Sequence, residues 1–167
     1  MLERFKVPEK DRVYVAESRI RAATEGIFKH NGLGAEDASS SADVLIKNDL
    51  RGVESHGVSN GLRRYVAEYG ANKLNPTPEF KVERETKTTM TVDADRALGI
   101  HVGPWAMQRA IDKAKEFGMA AVAVKNSGHL AGCGYYAMMA ADQGRIGHCM
   151  TAGGSHQTVP TFGSKPL

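Results

Sequence analysis

Histidine is the side chain that changes charge near neutral pH without special tuning, so acid/base chemistry is sought first at histidines. The chain carries six, and two of them stand in settings suited to such work. His56 lies in Arg51-Gly52-Val53-Glu54-Ser55-His56-Gly57. A serine directly before a histidine can hydrogen-bond the ring and hold its orientation, and the following glycine lets a ligand approach the backbone closely. Glu54 and Arg51 are near enough in sequence to help set the charge. The plainer alternative is a helix start, with Ser55 as the cap and His56 merely exposed. His129 lies in Lys125-Asn126-Ser127-Gly128-His129-Leu130-Ala131-Gly132, directly after an apolar run. That places its polar side chains at the carboxyl end of a strand, where α/β proteins tend to put ligands. The alternative is a polar loop whose Asn126 and Ser127 satisfy backbone groups. His148 and His156 fall near the C-terminus.

Other chemistries find less support. Gly128, Gly132 and Gly134 do not fit G-x-G-x-x-G, and there is no P-loop. A metal-dependent lyase or hydrolase would have to use His56, His129 and His148 without an H-E-x-x-H or a close cysteine pair, so no metal is expected. Ser55 as a nucleophile lacks a G-x-S-x-G elbow. Tyr135-Tyr136 and Met138-Met139 read as core and interface. Cys133 and Cys149 are far apart and, with seven methionines, suit a reduced cytoplasmic interior better than a disulfide framework.

The elements that must position these residues follow from periodicity. Val15, Ile20, Ala23, Ile27 and Phe28 recur at helical spacing between about Asp11 and His30, and Asn31-Gly32 supplies a stop. A second helix is expected from Glu36 to Leu50. Arg51 to Gly57 reads as a turn and Val58 to Tyr69 as a third helix, followed by a connector from Leu74 to Glu79. Lys81 to Glu85 and Thr89 to Val92 favour strands, with Asp93-Ala94-Asp95 as a turn signal. Pro104 suits the first turn of a helix that Gly118 closes. Met119 to Val124 resembles a buried strand. Gly132 to Gln143 reads as a helix and Ile146 to Thr151 as a strand. The fold class is therefore mixed α/β, with a helical region over 1–75 that carries the Ser-His motif and an α/β region over 76–167.

A length of 167 residues, 41% hydrophobic and 25% charged, suits a globular protein with a real core. The net charge of +3 is scattered, which leaves a nucleic-acid role without an electrostatic footprint. No apolar run approaches bilayer length, and the charged N-terminus does not resemble a signal peptide.

Taken in order, three groups of residues resemble one family. They are Arg51 to Gly57 with Arg63-Arg64-Tyr65, Thr91-Val92-Asp93-Ala94-Asp95 with Leu98-Gly99, and Lys125 to His129 with Gly134-Tyr135-Tyr136. Single motifs here are weak, but the ordered set resembles the malate/L-lactate dehydrogenase family, over roughly Asp11 to the end. Relatives in that family include ureidoglycolate, sulfolactate and diketogulonate oxidoreductases. The resemblance implies a non-Rossmann α/β fold and hydride transfer between NAD or NADP and a 2-hydroxy or 2-oxo acid. It also implies a homodimer with sites near the subunit interface.

By the same resemblance His56 is the proton donor, Ser55 orients it, and His129 is a second acid/base candidate. Many family members carry an arginine four residues after the active-site histidine, to grip a carboxylate. Asn60 stands there in this chain, so Asn60, Arg63, Arg64 and Asn126 are the substrate-binding candidates, and no cofactor-binding residue is assigned. The family continues through a Gly-Thr-Asn-Pro segment into a long remainder that supplies much of the nicotinamide surface. The expectation is therefore a front portion completed by further polypeptide, from its own or a second chain. The competing reading is a non-catalytic binding module built on the same front half.

Overall fold

The computed structural model describes residues 8–151. Five α-helices and a three-stranded sheet follow one another as α1 (Glu17–His30), α2 (Ala35–Leu50), α3 (Val58–Gly70), β1 (Lys81–Glu85), β2 (Thr89–Ala97), α4 (Gly99–Phe117), β3 (Ala121–Ser127) and α5 (Gly134–Ala141). Short 3-10 turns occupy Glu9–Asp11 and Glu54–His56. The mixed α/β class, helical at the front and alternating afterwards, is what the sequence pattern called for. Among the described residues no helix is long and apolar enough to cross a membrane.

The helices end where the sequence supplies the chemistry. At the end of α1 the Gly32 and Leu33 N–H groups donate back to the carbonyls of Lys29 and Phe28, with Gly32 in the left-handed region at φ 99°. This closure satisfies carbonyls that would otherwise be orphaned. At the end of α3 the same pattern recurs with an asparagine. Asn72 takes φ 54°, and the Asn72 and Lys73 N–H groups reach the carbonyls of Tyr69 and Glu68.

The sheet runs in the order β1-β2-β3, antiparallel between β1 and β2 and parallel between β2 and β3. The α4 helix makes the crossover that parallel strands require. The main core gathers Phe28, Leu45, Tyr65, Leu98, Ile100 and Tyr136, all essentially inaccessible to solvent. These residues come from both sides of residue 75. Burying each such side chain contributes roughly 1.5–3 kcal/mol of transfer free energy.

Several boundaries differ from expectation. The first helix starts at Glu17 rather than Asp11, because Val13, Tyr14 and Val15 are exposed and a longer helix would bury nothing there. The α4 helix starts at Gly99, so Pro104 lies inside it rather than in its first turn, at the end of a buried run. Asp93-Ala94-Asp95 lies within β2 rather than ending it. The turn chemistry is nonetheless there, since the Asp95 N–H donates to Asp93 Oδ1 at 2.9 Å and both Asp95 and Arg96 are left-handed. The strand at 119–124 proves to be β3, an edge strand with Ala121 and Ala123 exposed, because only β2 pairs with it among the described residues. The Gly132–Gln143 helix shortens to α5. Ile146 to Thr151 is not a strand, because among the described residues it has no ladder partner, and Ile146 and Met150 project into solvent.

One contact ties the start of α4 to the segment that carries His129. A Cβ at Gly99 would lie 2.5 Å from the Gly128 oxygen and 2.6 Å from the His129 carbonyl group, so α4 starts against that backbone only because residue 99 has no side chain. Gly99→Ala is expected to destabilise the fold by about 1–3 kcal/mol through overpacking. A urea midpoint equal to that of the unsubstituted protein would show that the contact relaxes freely.

Candidate active site

The last turn of α2 builds the frame for His56. Asn48 Nδ2 donates to the His56 carbonyl at 3.1 Å, and the Val53 N–H donates to the Asn48 carbonyl at 2.8 Å. Asp49 Oδ2 accepts the Val58 N–H at 2.9 Å and so caps α3 from outside the helix. A Cβ at Gly57 would fall on that carboxylate, so the glycine after the histidine is needed for room. Burial pushes the Asp49 carboxyl up, and the Val58 N–H partly offsets it. Ser55 therefore does not cap the helix. Its hydroxyl lies 2.9 Å from His56 Nδ1.

His129 arrives from the other end of the chain and stacks on His56, with ring centroids 5.7 Å apart and planes 13° from parallel. The Ala131 N–H, in a residue with φ 55°, donates to His129 Nδ1 at 3.2 Å. A backbone N–H can only donate, so Nδ1 is an acceptor and carries no proton. The Tyr65 hydroxyl, 2.8 Å from the same nitrogen, must then be a donor as well. His129 is thereby fixed as the neutral tautomer with its proton on Nε2. Burial, the nearby Arg64 charge and His56 push its pKa down to about 4, which agrees with the hydrogen bonding. Tyr65 is buried, and its hydroxyl is pushed up to about 12 by that burial.

The remaining expected site residues are placed as follows. Asn60 Nδ2 donates to the Glu54 carbonyl at 3.1 Å, which ties the first turn of α3 to the His56 turn. Arg63 is exposed. Arg64 lies 3.7 Å from Glu68 and 5.1 Å over the Tyr65 ring, close enough to act on His129 electrostatically. Asn126, left-handed at φ 53°, turns its amide to Asp93 Oδ1 at 2.9 Å. The structure thus brings Ser55, His56 and His129 together and keeps Arg64 beside them, while Asn126 lines a cleft with His129 and its amide donates to Asp93.

His148 is exposed and His156 lies outside the described residues. Among the described residues no three His, Cys, Asp or Glu side chains are grouped to hold a metal. Sequence reasoning missed Tyr65 as a site residue. The available signal was a tyrosine on the buried face of an amphipathic helix, whose hydroxyl requires a partner.

A mixed α/β fold with a Ser-His turn packed against a second histidine at a strand end defines a recognisable class. The chain belongs to the malate/L-lactate dehydrogenase family, whose sequence profile matches residues 15–167. A malate dehydrogenase of Pyrococcus abyssi is 41% identical over 148 residues, covering 84% of this chain and 41% of that protein. The L-sulfolactate dehydrogenase of Methanocaldococcus jannaschii is 36% identical over 139 residues, covering 83% of this chain and 40% of that protein. Among solved structures, malate dehydrogenase from Pyrococcus horikoshii OT3 is similar with a TM-score of 0.79 at 40% identity, over 86% of this chain and 41% of that one. The chain spans about two fifths of the length of these relatives.

Removing the Tyr65 hydroxyl takes away a bond that only the neutral ring can accept, so Tyr65→Phe is expected to raise the His129 pKa. A shift of about one unit above its value near 4 corresponds to one ordinary hydrogen bond. Ring-nitrogen NMR should find His129 in the Nε2–H form at pH 7, still uncharged at pH 5, and titrating at higher pH in the variant. A His129 proton on Nδ1 would refute the arrangement.

Proposed function

We propose that this chain carries the proton-transfer part of an oxidoreductase, dependent on NAD or NADP, that interconverts a 2-hydroxy acid and a 2-oxo acid. The observation that carries the reading is the stacked histidine pair in which one ring is held neutral. Two imidazoles 5.7 Å apart are poorly placed to be charged together. With His129 held uncharged, a proton can reside on His56 without a like charge against it. In this reading Ser55 accepts from Nδ1–H of the charged His56 ring and leaves Nε2–H as the group that gives its proton to the carbonyl oxygen during reduction. The reverse reaction returns the proton to the same nitrogen. His129 presents Nε2–H as an uncharged donor that polarises the acid, as a neutral histidine can.

The relatives' names indicate the kind of acid: malate, sulfolactate, hydroxycarboxylate and diketogulonate. The cleft bordering His129 measures about 280 Å³. This falls below the roughly 300–1,000 Å³ of pockets that enclose drug-sized ligands. That size suits a small acid.

Association with a second copy or a second chain is part of the same proposal. It is supported by β3, an edge strand with Ala121 and Ala123 exposed and with Met119 beside it 74% exposed. Such an edge is a template for pairing. Light scattering is expected to give a mass above that of one chain, and a monodisperse monomer at working concentration would count against association.

The activity is tested by the loss of nicotinamide absorbance, with NADH and NADPH separately, against a panel of 2-oxo acids that includes oxaloacetate and pyruvate. His56→Ala is expected to lower turnover by about 10²–10⁴-fold, the usual contribution of a general acid, with cofactor affinity retained. Unchanged turnover in His56→Ala would sink the assignment.

A further inference from the structure

The cleft that His129 borders lies between the C-terminal end of α3 and the ends of β2 and β3. Glu68, Lys73, Arg96 and Asn126 line it together with the Ser127–His129 segment. Two cations therefore face one carboxylate, and that carboxylate is shared with Arg64 at 3.7 Å. Among the described residues the Lys73 ammonium has no hydrogen-bond or ion-pair partner. Arg96 Nη1 donates to the Asn72 carbonyl at 3.0 Å, which steadies the guanidinium and leaves other donors of its planar fork unused.

The backbone is bent to put Arg96 there. Between Asp93 and Ala97, β2 advances four positions while β3 advances two, from Lys125 to Ser127. The excess is taken up in Asp95 and Arg96, at φ 49° and 59°. Aspartate and asparagine tolerate this conformation, whereas arginine adopts it less readily. The surroundings hold it in place. The Asn75 N–H donates to the Arg96 carbonyl at 3.0 Å, and Asn75 Nδ2 donates to Asp95 Oδ2 at 2.7 Å. Conformations of this kind persist where neighbouring contacts over-determine them and gather at binding and catalytic sites. On the other side of the cleft, the left-handed Asn72 turns the chain at the end of α3 and delivers Lys73.

We propose that Lys73 and Arg96 form an oxyanion site beside His129 that takes a carboxylate of the small acid on which the histidines act. The identity of the acid rests on the function proposed above; the affinity for an anion does not. An ammionium and a guanidinium on one carboxylate give charge-assisted hydrogen bonds, with the planar fork fixing its orientation. The site supplies positive charge that an asparagine at position 60 cannot. A phosphate group would meet the same donors, so the two sources of oxyanion must be separated by experiment.

The test is a titration without nicotinamide, followed by the His129 ring signals and by calorimetry. Oxamate and malonate serve as carboxylate probes, with inorganic phosphate and ADP in a parallel arm. The expected result is a shift of the His129 ring on adding oxamate or malonate. Their affinity should fall about tenfold or more in Lys73→Met and in Arg96→Gln, the loss of one charge-assisted contact. Arg96→Gln could also loosen the bulge, so Lys73→Met, which removes an exposed side chain, is the deciding variant. No response to either acid, or equal affinity in Lys73→Met and the unsubstituted protein, would overturn the proposal. Binding of phosphate or ADP in preference to both acids would overturn the carboxylate assignment and give the site to a nucleotide phosphate. Intact acid binding with turnover unchanged in His56→Ala would defeat the proton-donor reading and leave the oxyanion site standing.

Discussion

His129 Nδ1 accepts hydrogen bonds from the Tyr65 hydroxyl at 2.8 Å and from the Ala131 N–H at 3.2 Å, and a nitrogen that accepts cannot also carry a proton. The rest of the site depends on that constraint. It fixes which ring nitrogen faces outward with a hydrogen, and it keeps the ring uncharged. It also allows His56 to stack at 5.7 Å without placing charge against charge. The same bonds join three separate stretches of chain: the middle of α3, the end of β3 and the turn before α5. A change in any of them reaches the imidazole through one nitrogen.

The frame around that constraint is assembled from side chains whose first duty is structural. Asn48 ties the His56 carbonyl to α2, and its amide also packs where a Cβ on Gly132 would sit, so one side chain supports the stretches carrying both histidines. Asp49 caps α3 and occupies the space that Gly57 leaves. Gly99 lets α4 start against the Gly128–His129 backbone. Histidine geometry is thus inherited from helix ends, where unpaired backbone groups need partners in any case. The pair rests on the rigid body of the protein although both histidines lie outside the long helices and strands.

Local chemistry made much of this legible. The third helix was expected over Val58–Tyr69 and runs Val58–Gly70, and β1 spans Lys81–Glu85 as expected. The adjacency of Ser55 and His56 is a sequence fact, and their hydrogen bond follows from it. What could not be read were contacts set by tertiary packing. The Tyr65–His129 bond spans 64 positions and leaves no periodic trace. Asp93-Ala94-Asp95 carried a true turn signal, but pairing with β1 and β3 kept the strand running through it and turned the signal into a bulge. Asn126 was expected at a ligand site from its place at a strand end, and it lines the His129 cleft, but the bond from its amide to Asp93 is one that no sequence pattern announces. The apolar pattern at Ile146–Thr151 was real, yet a strand exists only with a neighbour to pair with.

The bulge also bears on how charge is arranged in the molecule. Arg63 and Arg64 follow the Ser-His motif closely and were the obvious replacements for an arginine at position 60. Yet Arg63 is exposed, and Arg64 is drawn between Glu68 and the Tyr65 ring. From there Arg64 acts on the site through its field, helping to hold His129 neutral, and a cation so engaged is poorly free to grip a ligand. The residues that can meet an anion at the His129 cleft come from the helix end at Lys73 and the bulge at Arg96. Neither stands near His56 or His129 in sequence. Proton chemistry can therefore be compact in the chain, because a serine and a histidine suffice to orient a ring. Anion recognition needs charges delivered from several directions and emerges only once the sheet and α3 have met.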